Sequence, residues 1–581
     1  MKFSDLALYF ERIEATASRN DMIALLGDCL AQASAQEKKI ITYLCLGTLL
    51  PAYQNSNFNI AQKGLVSLVA ALHGAEQGVI ENELKKVGDI GAVAQTFWRG
   101  QPQELSVTQV YDHLLDCIAI QGIGSTVKKE ELLVELLSSV DAVSCKYIVR
   151  IINQTLRLGC SDMTILDALS WSQGNDKKLR PMIEHAYNVC ADIGLVAELL
   201  DEKGADYLQN MQPRVGIPIR PAAAERLATA YDIIEKLGPC VAQPKLDGFR
   251  LQIHLDKRGG IPIVRFYSRN LVDMSEMFPD VYQAVVQLPV QQLICEGEAI
   301  GYDEATGTFL PFQETVKRKR KHGVDQASQE IPLRVFLFDV LFLDGQPLLN
   351  NSHKERRQIL EKITKQLAHS EIQAIEERYC TTGKELDDYF LLCIQAGLEG
   401  LVVKREDAIY QPGKRNFNWI KLKRQTGQKL GDTLDCVILG YYVGQGKRAA
   451  LGIGAFLVGV YNPEADRFES VAKVGTGMSD EQFKELCKKV EPLRVSAMPK
   501  NVWVAKELWP DVWVLPELVC VVRADDITQS PVHTAGKTQD SLGYALRFPR
   551  FLEYRIDKSA RDTTSTNELA SLYELQFSAV K

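Results

Sequence analysis

Lys245 stands in the stretch QPKLDGFRLQIHL, with Asp247 and Gly248 just after it and Arg250 a little further on. A lysine amine attacks only when neutral, and at a pKa near ~10.4 about 0.1% of it is neutral at pH 7.4. Neighbouring positive charge lowers that pKa. The chain offers such charge in Arg250 and in WIKLK, where alternation along a strand turns Lys421 and Lys423 to one face and Ile420 and Leu422 to the other. In LICEGEAIG, Glu296 and Glu298 share a face, and Glu399 precedes an apolar strand ending in Lys404 and Arg405. Carboxylates two apart on a strand are mostly surface groups, but in an interior lined with lysines they become candidate ligands for a metal ion or a ribose. One lysine among cations and a few carboxylates suits attack on the α-phosphorus of a nucleoside triphosphate. Arg250, Lys421, Lys423 and a Mg²⁺ ion would both activate the amine and neutralise the pyrophosphate leaving group.

The elements that must position these groups follow from periodicity. Phe249, Leu251, Ile253 and Leu255 take one face of a strand, leaving Arg250, Gln252 and His254 on the other, with Lys245 in the loop before it. PCVAQ, PIVRFYS, LICEGEAIG, LRVFLFDVLFLDG, GLVVKR and NWIKLK read as further short strands, with helical stretches such as KERRQILEKITKQLA between them, which predicts an α+β domain built on antiparallel sheet. Before about residue 212 the spacing is helical, as in Leu6, Phe10, Ile13 and Tyr147, Ile148, Ile151, Ile152, and predicts an all-α domain. In INQTLRLGCSDMTILDAL, Gly159 can close one helix and Ser161 can cap the next; with Arg157 adjacent this joint could hold a phosphate or be a plain interhelical corner. Pro213, Pro218 and Pro221 break the helical pattern and mark a linker. From about 426 onward DCVILGYYVG, AFLVGVY and LVCVVRAD, with SDEQFKELCKKV between them, predict a small β-barrel carrying an inserted helix. The expected domains are therefore 1–212, 213–425 and 426–581.

Composition narrows the class. With 581 residues, 46% hydrophobic and 24% charged, the chain is ordinary globular protein of several domains, without repeats or biased tracts. No apolar run approaches the ~18–20 residues of a membrane span, and MKFSDLALYFERIE carries Asp5 and Glu11 within its apolar pattern, so a soluble, unexported protein is expected. Thirteen cysteines without a CxxC pair argue against a zinc ribbon and against a full set of disulfides, and point to a reducing compartment. The net charge of −7 disfavours nucleic acid on its own, but cations concentrate in VKRKRKHG, GKRNFNWIKLKR and LRFPRFLEYR, which can form a basic track across an acidic body.

KLDGFR, SRN (268–270), CEGE (295–298), FLFDVLFLDG (336–345), LEGLVVKR (398–405), WIKLK (419–423) and RFPRFLEYRIDK (547–558) occur in the order and approximate spacing of the nucleotidyltransferase motifs of ATP-dependent DNA ligases. The chain resembles the large three-domain ligases of archaea and eukaryotes over nearly its whole length. The resemblance implies a helical DNA-binding domain, an adenylation domain and an oligonucleotide-binding (OB-fold) barrel, with ATP as adenylate donor and Mg²⁺ or Mn²⁺ as metal. It implies that Lys245 carries the adenylate, that Arg250 and Arg269 lie near phosphates, that Glu298 takes the ribose and that Phe338 stacks on adenine. Lys421 and Lys423 would contact the α-phosphate, Gln243 and Arg415 would join the nucleotide ligands, and Glu399 with Glu298 would serve the metal. Arg547, Arg550, Asp557 and Lys558 would orient pyrophosphate in the first step. Phe312 and Phe548 would lie against the minor groove, with Arg157, Gly159, Arg318, Arg320, Arg547 and Arg550 on the DNA. Three departures from the family pattern are Glu296 in place of Asp, Val521 where a Glu is common, and Glu553 where a basic residue is common.

The reaction so implied is nick sealing in three steps, on nicked duplex DNA, by a monomer that encircles it, with the 204–222 and 424–434 segments as hinges and a sliding clamp as a possible partner; no membrane is involved. The site of action would be the cytoplasm, at the nucleoid, in a prokaryote and the nucleus in a eukaryote. An RNA ligase or capping-type guanylyltransferase uses the same KxDG lysine but is disfavoured by the large helical N-terminal part. An NAD-dependent ligase lacks support because its zinc cysteines are missing, and an inert scaffold predicts losses that Lys245, Glu298, Glu399, Lys421 and Lys423 do not show.

Overall fold

The computed structural model describes the chain apart from residues 17, 55–56, 88, 304–306, 311, 321–322, 366–370, 397, 424–432, 444–451 and 579–581. The expected hinge at 424–434 therefore lies almost wholly outside the described residues. Two compact units emerge, Met1–Met211 with Arg494–Asn501, and Gln212–Leu493 with Val502–Lys581.

In the first unit thirteen helices run from Phe3 to Gln209 among the described residues. The two apolar stripes read from the sequence pack against each other. Leu6, Phe10, Ile13, Tyr147, Ile148 and Ile151 are fully buried, and the Phe10 and Tyr147 rings meet edge-on at 5.3 Å. At the joint singled out above, Ser161 caps helix Asp162–Gly174 by accepting from the Thr164 amide at 3.2 Å. Gly159 does not close the preceding helix, which stops at Ile152. Gln154 and Arg157 already take left-handed φ values of +54° and +61°, so the spiral is broken before Gly159, itself at +71°, is reached.

The second unit holds three main sheets. One has the order β1–β9–β8–β2–β7, where β1 is Ala223–Arg226, β2 Cys240–Lys245, β7 Arg378–Cys380, β8 Gly400–Lys404 and β9 Arg415–Lys423. Its core face buries Cys240, Ala242, Leu401, Val403, Ile420 and Leu422 beneath helices Ala230–Leu237 and Gly383–Gln395. The other sheet of this domain runs β4–β3–β5–β6 at its centre, with β3 Phe249–Asp256, β4 Ile263–Ser268, β5 Gln292–Asp303 and β6 Leu333–Leu343. Pairing is antiparallel as expected, except that β1 lies parallel to β9 and Ile372–Ala374 parallel to β6. Both exceptions are joined to their partners by long excursions through other elements, which is what parallel pairing requires.

The polar face of β3 is buried too. Gln252 exchanges hydrogen bonds with the backbone of Ile219 at 2.7 and 2.9 Å, and His254 Nδ1 accepts from the Gly216 amide at 3.0 Å. The proline-marked segment thus lies against β3 and supplies the partners that the polar alternation demands.

The third sheet, curved into a half-barrel, contains β10 (Thr433–Val443), β11 (Ile453–Asn462), β12 (Arg467–Val474), β13 (Val519–Arg523) and β15 (Arg550–Tyr554); β14 (Gly543–Arg547) pairs with Asp526–Ser530. Helix Asp480–Val490 packs Phe483, Leu486 and Val490 into the same core as Phe456, Val522 and Phe551. Val521 and Glu553, two of the departures noted above, face each other across β13 and β15. Helix Thr566–Ser578 closes the chain.

Candidate active site

Lys245 is the last residue of β2, not part of a free loop, because β8 pairs with β2 as far as Gly400 opposite Lys245. The turn that follows depends on glycine: a Cβ on Gly248 would lie 2.2 Å from the Ala299 carbonyl oxygen. Gly400, at φ +146°, would place a Cβ 2.0 Å from the Leu422 carbonyl, so only glycine lets β8 start beside Lys245 with Glu399 just before it. Between the first two sheets lies a cavity of about 400 Å³. Into it project Lys245 from β2, Lys421 and Lys423 from β9, Glu298 from β5, Phe338 from β6, Arg269 after β4, and Asp557 and Lys558 after β15. Gln243, Arg250, Glu399 and Arg415 complete the predicted set on its wall.

Burial, and then the Lys423 ammonium, lower the Lys245 pKa from 10.5 to about 7, against the raising influence of Glu298 and Asp247. Glu399 bridges the two lysines: one carboxylate oxygen pairs with Lys245 and the other lies 3.5 Å from Lys423. Burial raises Glu298 to about 7. It also lowers Lys421 to about 8, although Lys421 and Arg415 each sit 2.9 Å from Glu568 on the last helix. Arg269 pairs with Asp562 at 3.1 Å, Lys558 pairs with Asp435, and Arg555 grips Asp557 through two contacts of 2.8 Å. The chemistry open to this arrangement is nucleophilic attack by an amine on a polyanion whose charge several cations can share.

Comparison with known proteins agrees with that chemistry. The family model for the DNA ligase N terminus matches residues 2–170, that for the ATP-dependent DNA ligase domain 221–423, and that for the ATP-dependent DNA ligase C-terminal region 449–558. The chain is 43% identical over 579 residues to a probable DNA ligase of Dictyoglomus thermophilum, covering 99% of this chain and 98% of that one. It is 37% identical over 595 residues to DNA ligase 2 of Thermofilum pendens and 35% over 594 to the DNA ligase of Sulfolobus acidocaldarius, again across 99% of this chain and 98% of each relative. The chain belongs to the ATP-dependent DNA ligase family. Its helical, adenylation and barrel parts follow the expected order, and the enzyme is a ligase with ATP as its substrate.

Within that frame some expected groups stand elsewhere. Arg250 lines the cavity but is tied back to Glu296 at 2.6 Å and to the Ala222 carbonyl at 2.8 Å, and its guanidinium lies 5.2 Å from the centre of the Phe338 ring. It supports the aromatic wall. Arg318, taken above as a DNA contact, has a fully buried side chain paired with Asp280 at 2.5 Å, so it cannot meet a duplex in this arrangement; the Arg320 side chain is partly exposed. Arg547 and Arg550 are exposed on β14 and β15 and do not line the cavity. The cation that does enter beside Asp557 and Lys558 is Arg555, because the chain turns inward only after β15 ends at Tyr554. Phe548 is 59% exposed in the turn between the two strands, with Arg547 5.1 Å from its ring centre. In the first unit, Arg157 lies largely buried 3.9 Å from Asp89, and Gly159 packs against the Lys500 side chain. The side chain of Phe312 lies outside the described residues.

Lys319, Arg555, Asp562 and Glu568 were missed by sequence reasoning. For Arg555 a signal existed in its place two residues before Asp557 in RFPRFLEYRIDK. For Lys319, third in a run of five cations and now 4.5 Å from the Phe249 ring centre, nothing in the run distinguishes the inward lysine from its neighbours.

Proposed function

We propose that the enzyme seals nicks in duplex DNA through a covalent adenylate on Lys245. The neutral Nζ attacks the α-phosphorus of ATP, a P–N bond forms, and the P–O bond to pyrophosphate breaks. AMP then passes to the 5′-phosphate at the nick, freeing the amine, and the 3′-hydroxyl attacks that phosphorus, forming the phosphodiester and releasing AMP. The observation that carries this reading is the convergence of Lys245, with its pKa lowered to about 7, and Lys421, Lys423, Arg269 and Lys558 in one cavity.

In this reading Phe338 stacks on the base, Glu298 binds the ribose, and Lys421, Lys423 and Arg415 hold the α-phosphate once Glu568 gives way. Asp557, Lys558 and Arg555 orient the pyrophosphate. Glu399, a lone carboxylate between two ammonium groups, suits Mg²⁺ or Mn²⁺ only in company with substrate phosphate oxygens, which is how magnesium is commonly held. Such an ion, with Glu298 on the same wall, supplies charge stabilisation at the phosphoryl oxygens. Arg547, Phe548 and Arg550, a ring between two cations in one exposed turn, suit a minor-groove contact, and the partly exposed Arg320 suits a phosphate. The domains divide at 212/213 and 425/426, and one chain closes around the duplex, with a sliding clamp as a further partner.

Incubation with α-labelled ATP and Mg²⁺, followed by denaturing electrophoresis, is expected to leave label on the wild type and none on Lys245→Ala. Sealing of nicked DNA should be lost with it. Label on both proteins, or on neither, rejects the mechanism.

A further inference from the structure

Strand β2 carries two side chains toward the cavity, Lys245 and, two residues earlier, Gln243, while Cys240 and Ala242 enter the core behind. One strand repeat, roughly 6.7 Å, separates the amine from the amide. Gln243 is 1% exposed and sits opposite Val402 of β8, on a stretch of wall that also includes Phe338, Ile375 and Trp419. This is the aromatic part of the cavity, its Phe338 and Trp419 rings backed by Lys404 and Arg250, where a flat heterocycle would lie when its phosphates reach the lysines.

A primary amide can present either its oxygen or its NH₂ group to a ligand, and the choice here is made from behind. Gln243 Nε2 donates to Glu377 Oε2 at 2.6 Å, and the same oxygen takes His353 Nε2 at 2.8 Å. Glu377 is held below the ordinary carboxylate range: burial opposes this, but the His353 hydrogen bond and nearby cations prevail. An ionised carboxylate only accepts, so Gln243 must turn its NH₂ toward Glu377. Its carbonyl oxygen, which has no hydrogen-bond partner among the described residues, is left as the polar group for the cavity. His353, 2% exposed at the start of helix His353–Thr364, braces the carboxylate, and burial keeps its imidazole neutral, so that one ring nitrogen remains a donor to Glu377.

We propose that Glu377, braced by His353, is a positioning residue that sets the enzyme's choice of purine by locking Gln243 with its carbonyl toward the base. An acceptor at that place pairs with the 6-amino group of adenine and opposes the 6-oxo group of guanine or hypoxanthine, where two acceptors would meet without water. The inference rests on the reading that a lysyl adenylate forms from ATP, and it identifies the group that makes that nucleotide the preferred donor.

The test is single-turnover formation of the lysyl-nucleotide in the full chain with ATP and with inosine triphosphate, which carries the 6-oxo group without guanine's extra 2-amino substituent. Glu377→Gln can donate as well as accept and so permits the Gln243 amide to flip. The ratio of kcat/KM for ATP to that for inosine triphosphate is expected to fall at least tenfold in Glu377→Gln and to stay near the wild-type value in Glu377→Asp. A merely structural role would lower both rates together. An unchanged ratio in Glu377→Gln overturns the proposal. If that variant does not fold, His353→Gln, which loosens the brace, must narrow the ratio by at least threefold, and an unchanged ratio there overturns it equally. A wild type that takes no label from either nucleotide rejects the adenylation reading itself, a result distinct from labelling without discrimination.

Discussion

Replacing Lys423 by Gln removes one positive charge beside Lys245, the proposed nucleophile, while keeping a side chain of similar reach. Glu399 contacts Lys245 with one oxygen and lies 3.5 Å from Lys423 with the other, so the two ammonium groups flank a single carboxylate. Such an arrangement separates them by about 6 Å, and at an effective dielectric of ~20 their repulsion is about 2.8 kcal/mol, or roughly two pKa units. The Lys245 side chain is about a quarter exposed and the carboxylate lies between the charges, so about one unit is the expected effect. The sign is clear: burial is the first cause of the lowered Lys245 pKa and Lys423 the second, so removing Lys423 raises the midpoint from about 7 to about 8. Since the neutral amine is the reactive form, the rate rises with pH through that midpoint in both proteins. The assay is the pH profile of lysyl-AMP formation under single-turnover conditions with saturating ATP. Near pH 6.5 the variant should lose about tenfold more than it loses at pH 9, because the difference in neutral fraction vanishes above both midpoints. A deficit of the same size at every pH, with the midpoint unmoved, would show that Lys423 acts by contact alone and would refute the electrostatic account.

Two further outcomes follow from the packing. Glu568→Gln leaves Arg415 and Lys421 without the carboxylate they share at 2.9 Å; breaking a largely buried pair of this kind costs on the order of 2 kcal/mol, so backbone hydrogen exchange in helix Thr566–Ser578 should quicken by about thirtyfold, and an unchanged rate would place that helix's stability elsewhere. Gly248→Ala must push a methyl to within 2.2 Å of the Ala299 carbonyl, and the displaced β2–β3 turn should slow lysyl-AMP formation by at least a hundredfold even where the protein still melts cooperatively; adenylation within tenfold of wild type would contradict the close approach.

Much of the site was legible because strands repeat every two residues. WIKLK had to send Lys421 and Lys423 one way and Ile420 and Leu422 the other, and the structure buries the latter pair in the core while the lysines reach the cavity. The pairing of Glu296 with Arg250 was not legible. Both residues lie on faces that alternation treats as polar, and only the register that sets Gln252 opposite Glu296 and Arg250 opposite Glu298 brings Arg250 within 2.6 Å of Glu296. That contact ties Arg250 back to the cavity wall. The buried Arg318 shows the same limit: in a run of five cations, spacing cannot say which one finds Asp280.

The sequence by itself picked out Lys245 as the candidate nucleophile and determined the paired lysines, the carboxylates and the order of helical and sheet-rich parts, because these depend on local periodicity and on residue types that few reactions require together. Only the tertiary structure decided which cations face substrate and which face an internal carboxylate, as with Lys421 and Arg415 meeting Glu568 from a helix near the far end of the chain. It also decided which way the Gln243 amide points. The Glu568 and Gln243 contacts join segments more than a hundred residues apart, and a charge's partner over that distance is set by how sheets and helices pack, which no local pattern encodes.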